Sequence, residues 1–272
     1  MKLSVLIPTF DRAEHLINCL ISIGNQTFPH DKFEILICDD GSKDQTFGVI
    51  QEAKRTFDFP IRAWYLDRPE RTTACLAWNF LVRKAKAPIL VLLGAHMIMA
   101  KNALELHYKY QQESEFGNLF VFGRAYRVHS VLAQSLLNSV NWRENFQALE
   151  ELFISEYHHS QYWEVPYCAS IHKKWIDQIH GWDEDWNEIW PDDSDLLVRL
   201  KAIGVQSINA LDILSAHQFH GEQIDPICGP ECKCPLVHLG HTWPGPELEW
   251  HGEEKDIIRN QYLWGEFSAL EI

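Results

Sequence analysis

No apolar run in the 272 residues approaches the roughly 20 that a membrane-spanning helix requires, so no spanning segment is expected. The opening "MKLSVLIPTFDR" is apolar only as far as Pro8 and lacks a small-residue cleavage site. It reads as a first strand, not a signal peptide. Basic residues are few: 24 Lys and Arg stand against 38 Asp and Glu, a net charge of -14. That balance excludes long-range capture of nucleic acid or of an anionic membrane, though a local basic site remains compatible with it. Cysteine is sparse and odd in number; Cys19, Cys38, Cys75 and Cys168 stand alone, and with no secretory signal a disulfide framework is not expected. Lone thiols of this kind suit a cytoplasmic protein. There is no internal repeat and no low-complexity segment. A Gly-rich phosphate loop with a Lys near the N-terminus is also missing, which argues against a nucleotidyltransferase.

What is present is a repeating α/β pattern, long enough for one large domain or two small ones. "LSVLIP" (3–8) is a compact apolar strand, followed by a helix with Leu16, Cys19, Leu20 and Ile23 on one face. "FEILICDDGS" (33–42) is a second strand running into an acidic turn, and a helix follows from about Asp44, whose side chain suits an N-cap. "IRAWYL" (61–66), a helix over 72–86 and "PILVLL" (88–93) complete the series. Repeated βα units predict a mainly parallel sheet covered by helices on both faces. Ligands of such sheets bind beyond the carboxyl ends of the strands. Those ends carry Pro8-Thr9, Asp39-Asp40, Arg68 to Arg71 and Gly94 to His96. Residues 128–160 are helical in tone, and 162–208 read as strand, short helix, aromatic-acidic loop, helix and strand. After about 222 periodicity is lost.

Three pieces carry a resemblance. "VLIPTFDRAEHLINCLISIGNQTF", "FEILICDDGSKDQT" and "HGWDEDW" followed by "DDSDLLVRLKAIG" together resemble the inverting, family-2-like glycosyltransferases of the GT-A fold, over roughly residues 3–220. The resemblance implies a nucleotide-sugar-binding half (1–98), an acceptor and catalytic half of the same domain (99–221), and an irregular C-terminal extension (222–272). It implies a nucleotide pocket lined by Pro8, Thr9, Asp11, Asp39 and Arg71, with Asp39 accepting from the nucleobase. From the residues alone, Asp39-Asp40-Gly41-Ser42 is equally a capped turn.

Two departures follow. Where the family has Asp-x-Asp after the fourth strand, this chain has Gly94-Ala95-His96. The last position is the one expected to hold a divalent ion (Mn²⁺ or Mg²⁺), a role histidine can fill. Gly94 takes the position of the carboxylate that contacts ribose and sugar. A second ligand is expected from "LSAHQFHGE", His217 ahead of His220. Where the family often has Ala-Arg-Asn, with the Arg near the diphosphate, this chain has Ala77-Trp78-Asn79, and Trp cannot neutralise phosphate.

In "WPDDSDLLVRL" Pro191 suits a first helical turn, with Asp192 and Asp193 at the helix start, pointing out of the domain. By the resemblance Asp193 is the catalytic base and Asp192 takes the neighbouring Glu position. Acidic residues there also complement the helix dipole. Trp182, Trp186 and Trp190 are placed either to stack on a sugar or to fill the core. Cys228, Cys232 and Cys234, with His238 and His241 after them, have the ligand types of a structural Zn²⁺ site at a spacing that matches no common module. The expectation is an inverting transferase that moves sugar from a UDP-linked donor to a hydroxyl, on a saccharide in preference to protein or nucleic acid. A homologue that binds without turnover is the alternative.

Overall fold

The computed structural model describes residues 1–68, 73–127, 135, 141–142, 145, 147–148, 167–185, 191–220, 257–260 and 264–272. The N-terminal half alternates β1 (Leu3–Thr9), α1 (Ala13–Gly24), β2 (Phe33–Asp39), α2 (Thr46–Thr56), β3 (Ile61–Tyr65), α3 (Cys75–Lys84) and β4 (Ile89–Leu93). Next come β5 (Met97–Met99), α4 (Ala103–Glu113), β6 (Leu119–Arg127), β7 (Cys168–His172), α5 (Lys173–Gln178), α6 (Pro191–Ala202), β8 (Gln206–His217) and β9 (Leu270–Glu271). They form one sheet in the order β5-β8-β6-β7-β4-β1-β2-β3-β9.

The four early strands pair in parallel, as βα units require. β7, β5 and β9 enter antiparallel, so the sheet is mixed. β1 is buried on both faces. Leu3, Val5 and Ile7 pack with α1, α2 and α4, while Leu6 packs with Leu36, Leu90, Leu92 and residues of α3, α5 and α6. This two-sided burial is why its sequence is a continuous apolar run instead of an alternation. The four lone cysteines are free and buried, acting as small apolar groups.

Two features of the sheet place the site. β1 stays paired with β2 to Thr9↔Asp39 but leaves β4 after Leu6↔Leu92. The strands therefore part at their carboxyl ends, at the point where the strand order reverses, and Pro8 lies past the β4 ladder. On the other side, β8 pairs with β6 through a bulge between Gly123 and Arg124 and then meets β5 with Met97 opposite His217. The bulge seats Ile213 over Gly123, where a Cβ would come within 2.9 Å of its side chain.

Asn79 fastens the N-terminal half to the segment before α6. Asn79 Nδ2 donates to the Trp182 carbonyl and to Glu184, each at 2.8 Å, and its Oδ1 accepts from Trp182 N at 2.8 Å. Gly181, at φ 71°, leaves the room: a Cβ there would fall 2.0 Å from Asn79 Oδ1. The buried Arg199 of α6 donates to the carbonyls of Ile179 and Gly181 at 3.2 and 2.9 Å and pairs with Asp195 at 2.7 Å. The described C-terminal residues join the same body, Trp264 being buried and β9 extending the sheet beside β3.

Candidate active site

Three elements converge beyond the strand ends. At β1 and β2, Thr9 and Asp39 are buried, and Thr9 Oγ1 and Asp39 Oδ2 make no hydrogen bond. Asp39 Oδ1 accepts from Ser42 N at 2.9 Å. Burial pushes the Asp39 carboxyl above the usual carboxylate range. A buried acceptor oxygen without a donor is costly in a native fold, and a ligand N–H relieves that cost. Asp11 behaves differently. Its backbone is left-handed at φ 48°, and its carboxylate accepts from the amides of Lys43 and Asp44 at 2.7 and 3.3 Å. Asp11 thus ties the β1 loop to the acidic turn. Asp44 joins the first turns of the two helices, Oδ2 accepting from Ala13 N at 3.0 Å and Oδ1 from Thr46 N at 2.9 Å, while the N-cap position of α2 falls one residue later, at Gln45. Asp40 is held by Arg68, whose Nη1 donates to both its oxygens at 3.0 and 3.1 Å. Arg71 lies outside the described residues.

At the end of β4 the histidines meet. His96, His217 and His220 can each offer a ligand atom, and these atoms lie within 4.8 Å of one another. The ring centroids are 4.3 Å apart for His96–His217, 4.7 Å for His96–His220 and 5.0 Å for His217–His220. The β5–β8 register explains the first pair, reinforced by Gln218 N donating to the His96 carbonyl at 2.9 Å. His220 is held from α1. Asn18 Nδ2 donates to Gln218 Oε1 at 2.7 Å, and His15 Nε2 donates to the Phe219 carbonyl at 2.7 Å. His96 Nε2 is buried with no hydrogen bond. Burial, then His217, His220 and Arg12, lower its pKa well below the usual imidazole range, so the ring is neutral, as a ligand must be. Gly94 lies beneath that ring: a Cβ would come within 2.8 Å of His96 Cε1. The glycine makes room for the imidazole at the position where a carboxylate is expected.

At the start of α6 the acidic pair faces inward, not outward. Asp192 is buried, with Cys75 Sγ donating to its Oδ2 at 3.5 Å, and Asp193 is half-buried with Oδ1 accepting from Trp182 Nε1 at 3.1 Å. Burial, then the neighbouring charge of Asp192, push the Asp193 carboxyl up to about 8. Trp182 is fully buried and stacks on Trp78 at 5.4 Å and 13°, so both are core residues. Trp186, Trp190 and the cluster Cys228, Cys232, Cys234, His238 and His241 lie outside the described residues.

The sequence model of glycosyl transferase family 2 matches residues 4–179. The chain belongs to that family. The matched span runs from β1 through α5 and stops before α6 and β8, so Asp193, His217 and His220 stand outside it. Among curated relatives, the uncharacterized glycosyltransferase YfnE of Bacillus subtilis is 24% identical over 263 residues, covering 81% of this chain and 65% of that protein. Two solved structures share the GT-A fold. The mannosyltransferase PcManGT from Pyrobaculum calidifontis, in complex with GDP-Man and Mn²⁺, superposes with a TM-score of 0.58 at 18% identity, over 82% of this chain and 58% of that one. Residues 1–349 of S. aureus TarS, in complex with UDP-GlcNAc, give 0.60 at 16% identity, over 81% and 59%. The chain therefore spans under two thirds of the length of each of these proteins. Among the described residues no helix is long and apolar enough to cross a membrane.

Two residues of the site carry no role in the sequence reading. Arg12 reaches from the β1 loop to His220, Nη2 standing 3.4 Å from Nδ1, and Tyr167 sets its ring 5.2 Å from that of His96, edge to face. The Asp-Arg pair at 11–12 hinted at the first. Nothing in the sequence marked the second.

Proposed function

We propose that the chain transfers a sugar from a nucleotide-sugar donor, UDP-linked, to a hydroxyl of a saccharide acceptor with inversion. The observation that carries this is a pairing across β1: a buried carboxylate oxygen without a donor at the end of β2, and a partly buried imidazole cluster at the end of β4. The first suits a nucleobase N–H and the second a divalent ion beside the diphosphate. The complexes of S. aureus TarS with UDP-GlcNAc and of PcManGT with GDP-Man and Mn²⁺ support both halves of the reading.

Asp39 Oδ2 accepts from the nucleobase, with Pro8 and Thr9 closing the pocket wall. His96 and His217 fit a divalent ion, being close together, His217 buried and His96 neutral with a buried, unengaged Nε2. When bound, such an ion supplies positive charge next to the leaving diphosphate. Asp193 takes the proton of the acceptor hydroxyl as that oxygen bonds to the anomeric carbon and the bond to the diphosphate breaks. Trp182 Nε1 holds one carboxylate oxygen of Asp193 and so fixes its direction. A donor-binding protein without turnover is the second reading, favoured by Trp78, which is buried against Trp182 where the family resemblance expects an Arg. Hydrolysis of UDP-sugars by the purified chain, followed by UDP release, tests the first reading. Release that depends on Asp193 supports a transferase. Donor binding with no release in any acceptor mixture leaves the binding protein.

A further inference from the structure

We propose that His96, His217 and His220 act together as a three-histidine metal site for an ion of the zinc and cobalt class, with magnesium excluded. The inference rests on the reading that this cluster holds the divalent ion of the donor site, and it adds the third ligand and the kind of ion. Among the described residues this is the one group of three or more His, Cys, Asp or Glu side chains close enough to share an ion, and it contains no carboxylate. Nitrogens bound to one zinc-type ion at about 2.0–2.1 Å lie roughly 3.3 Å apart, so a 4.8 Å spread closes with a small inward turn of the rings.

The backbone is already set for that closure. His96 and His217 sit on the ends of paired strands, and Asn18 and His15 of α1 hold the segment that carries His220. Gly94 bars the alternative of a carboxylate from below, because its Cα side is filled by the His96 ring. Imidazole is the ligand of zinc, cobalt, nickel and copper ions, whereas magnesium demands oxygen and keeps its waters. The expectation of Mn²⁺ or Mg²⁺ thus narrows to ions later in the Irving–Williams series.

Neutral ligands also leave the full double charge of the ion exposed, and Arg12 beside His220 adds another positive charge. The open coordination position therefore favours an anion, and a diphosphate oxygen fits that demand. Ion and nucleoside diphosphate must then strengthen each other's binding by the same factor.

The test is metal titration of the full chain carrying Cys228→Ser, Cys232→Ser and Cys234→Ser, so that thiolates do not compete, with and without UDP. Mg²⁺, Mn²⁺, Co²⁺ and Zn²⁺ are compared by competition with a chromophoric chelator, and Co²⁺ also by its visible absorption. The expected result is one equivalent of Zn²⁺ or Co²⁺, bound on the order of 10²-fold more tightly than Mn²⁺, with Mg²⁺ weakest. His220→Ala and the better-matched His220→Gln should each weaken Co²⁺ at least about 10-fold and change its spectrum, with circular dichroism unaltered. If His96→Ala weakens the ion but both His220 variants bind as wild type, the three-histidine site is overturned and the donor-site reading stands. Mg²⁺ binding as tightly as Co²⁺ does the same. If no ion binds with or without UDP, or His96→Ala changes nothing, both fall together.

Discussion

The raised carboxyl of Asp193 gives a pH profile with a definite shape. With its pKa pushed up to about 8, about one-tenth of the molecules carry the charge at pH 7 and about half at pH 8. If the charged form accepts the acceptor proton, kcat/KM should rise about 10-fold between pH 6 and 7, about 5-fold more between 7 and 8, and level off above 9. The shift comes from burial and then from Asp192, so Asp192→Asn should move the midpoint down and raise the rate at pH 7. Asp193→Asn should cut the rate at least about 10²-fold and remove the inflection. Stability moves the opposite way. A carboxyl raised in the fold favours the protonated native state, so its contribution is complete at about pH 4, near the unfolded value, and is lost as pH climbs through about 8. The melting temperature should therefore fall between pH 6 and 9 in wild type and fall less in Asp193→Asn. Initial rates of UDP release across that range, beside thermal melts of both proteins, check the two arms. A rate flat from pH 6 to 9 in wild type would refute the reasoning.

Asp39→Ala should weaken UDP binding by about 10- to 100-fold, the loss of one hydrogen bond to a charged acceptor, and calorimetry showing unchanged affinity removes the nucleobase contact. Gly94→Asp should lower Mn²⁺ or Co²⁺ affinity, because the new Cβ meets His96 Cε1 within 2.8 Å and turns the ring away; electron paramagnetic resonance with unaltered Mn²⁺ binding contradicts this. Trp78→Arg should not rescue phosphate contact. It breaks the stack on Trp182 and should destabilise by about 3–5 kcal/mol, the range for removing a buried Trp, which urea unfolding can measure.

The N-terminal half was legible because each of its strands is a short apolar run ended by turn residues, and each helix shows one buried face. β1 to β4 and α1 to α3 lie within a few residues of where the pattern puts them. β5, α4, β6 and β9 were not seen. β5 and β9 have three and two residues, too few for a period to register, and both are held by pairing with distant strands. The clustered histidines show the same division. His96 was marked by its place after β4, whereas the union of His217 with His220 depends on the β8 bulge and on Gln218 gripping α1. The inward turn of Asp192 and Asp193 was hidden for a related reason. A helix start reads as exposed until Cys75 and Trp182 close over it. No local rule predicts contacts between residues so far apart in the chain.

The lock between Asn79 and Gly181 bears on how such a chain can change over time. A Cβ at 181 would fall 2.0 Å from Asn79 Oδ1 and 3.0 Å from the Trp264 ring, on a left-handed backbone, so alanine there strains the chain and pushes Asn79 off its three hydrogen bonds. Glycine at 181 is held by its own backbone and by Trp264 as well as by Asn79, so of the two positions 79 is the freer to change. Lineages descended from a common ancestor should keep glycine at 181 wherever asparagine stands at 79. Two sites far apart in the chain are inherited as a single character.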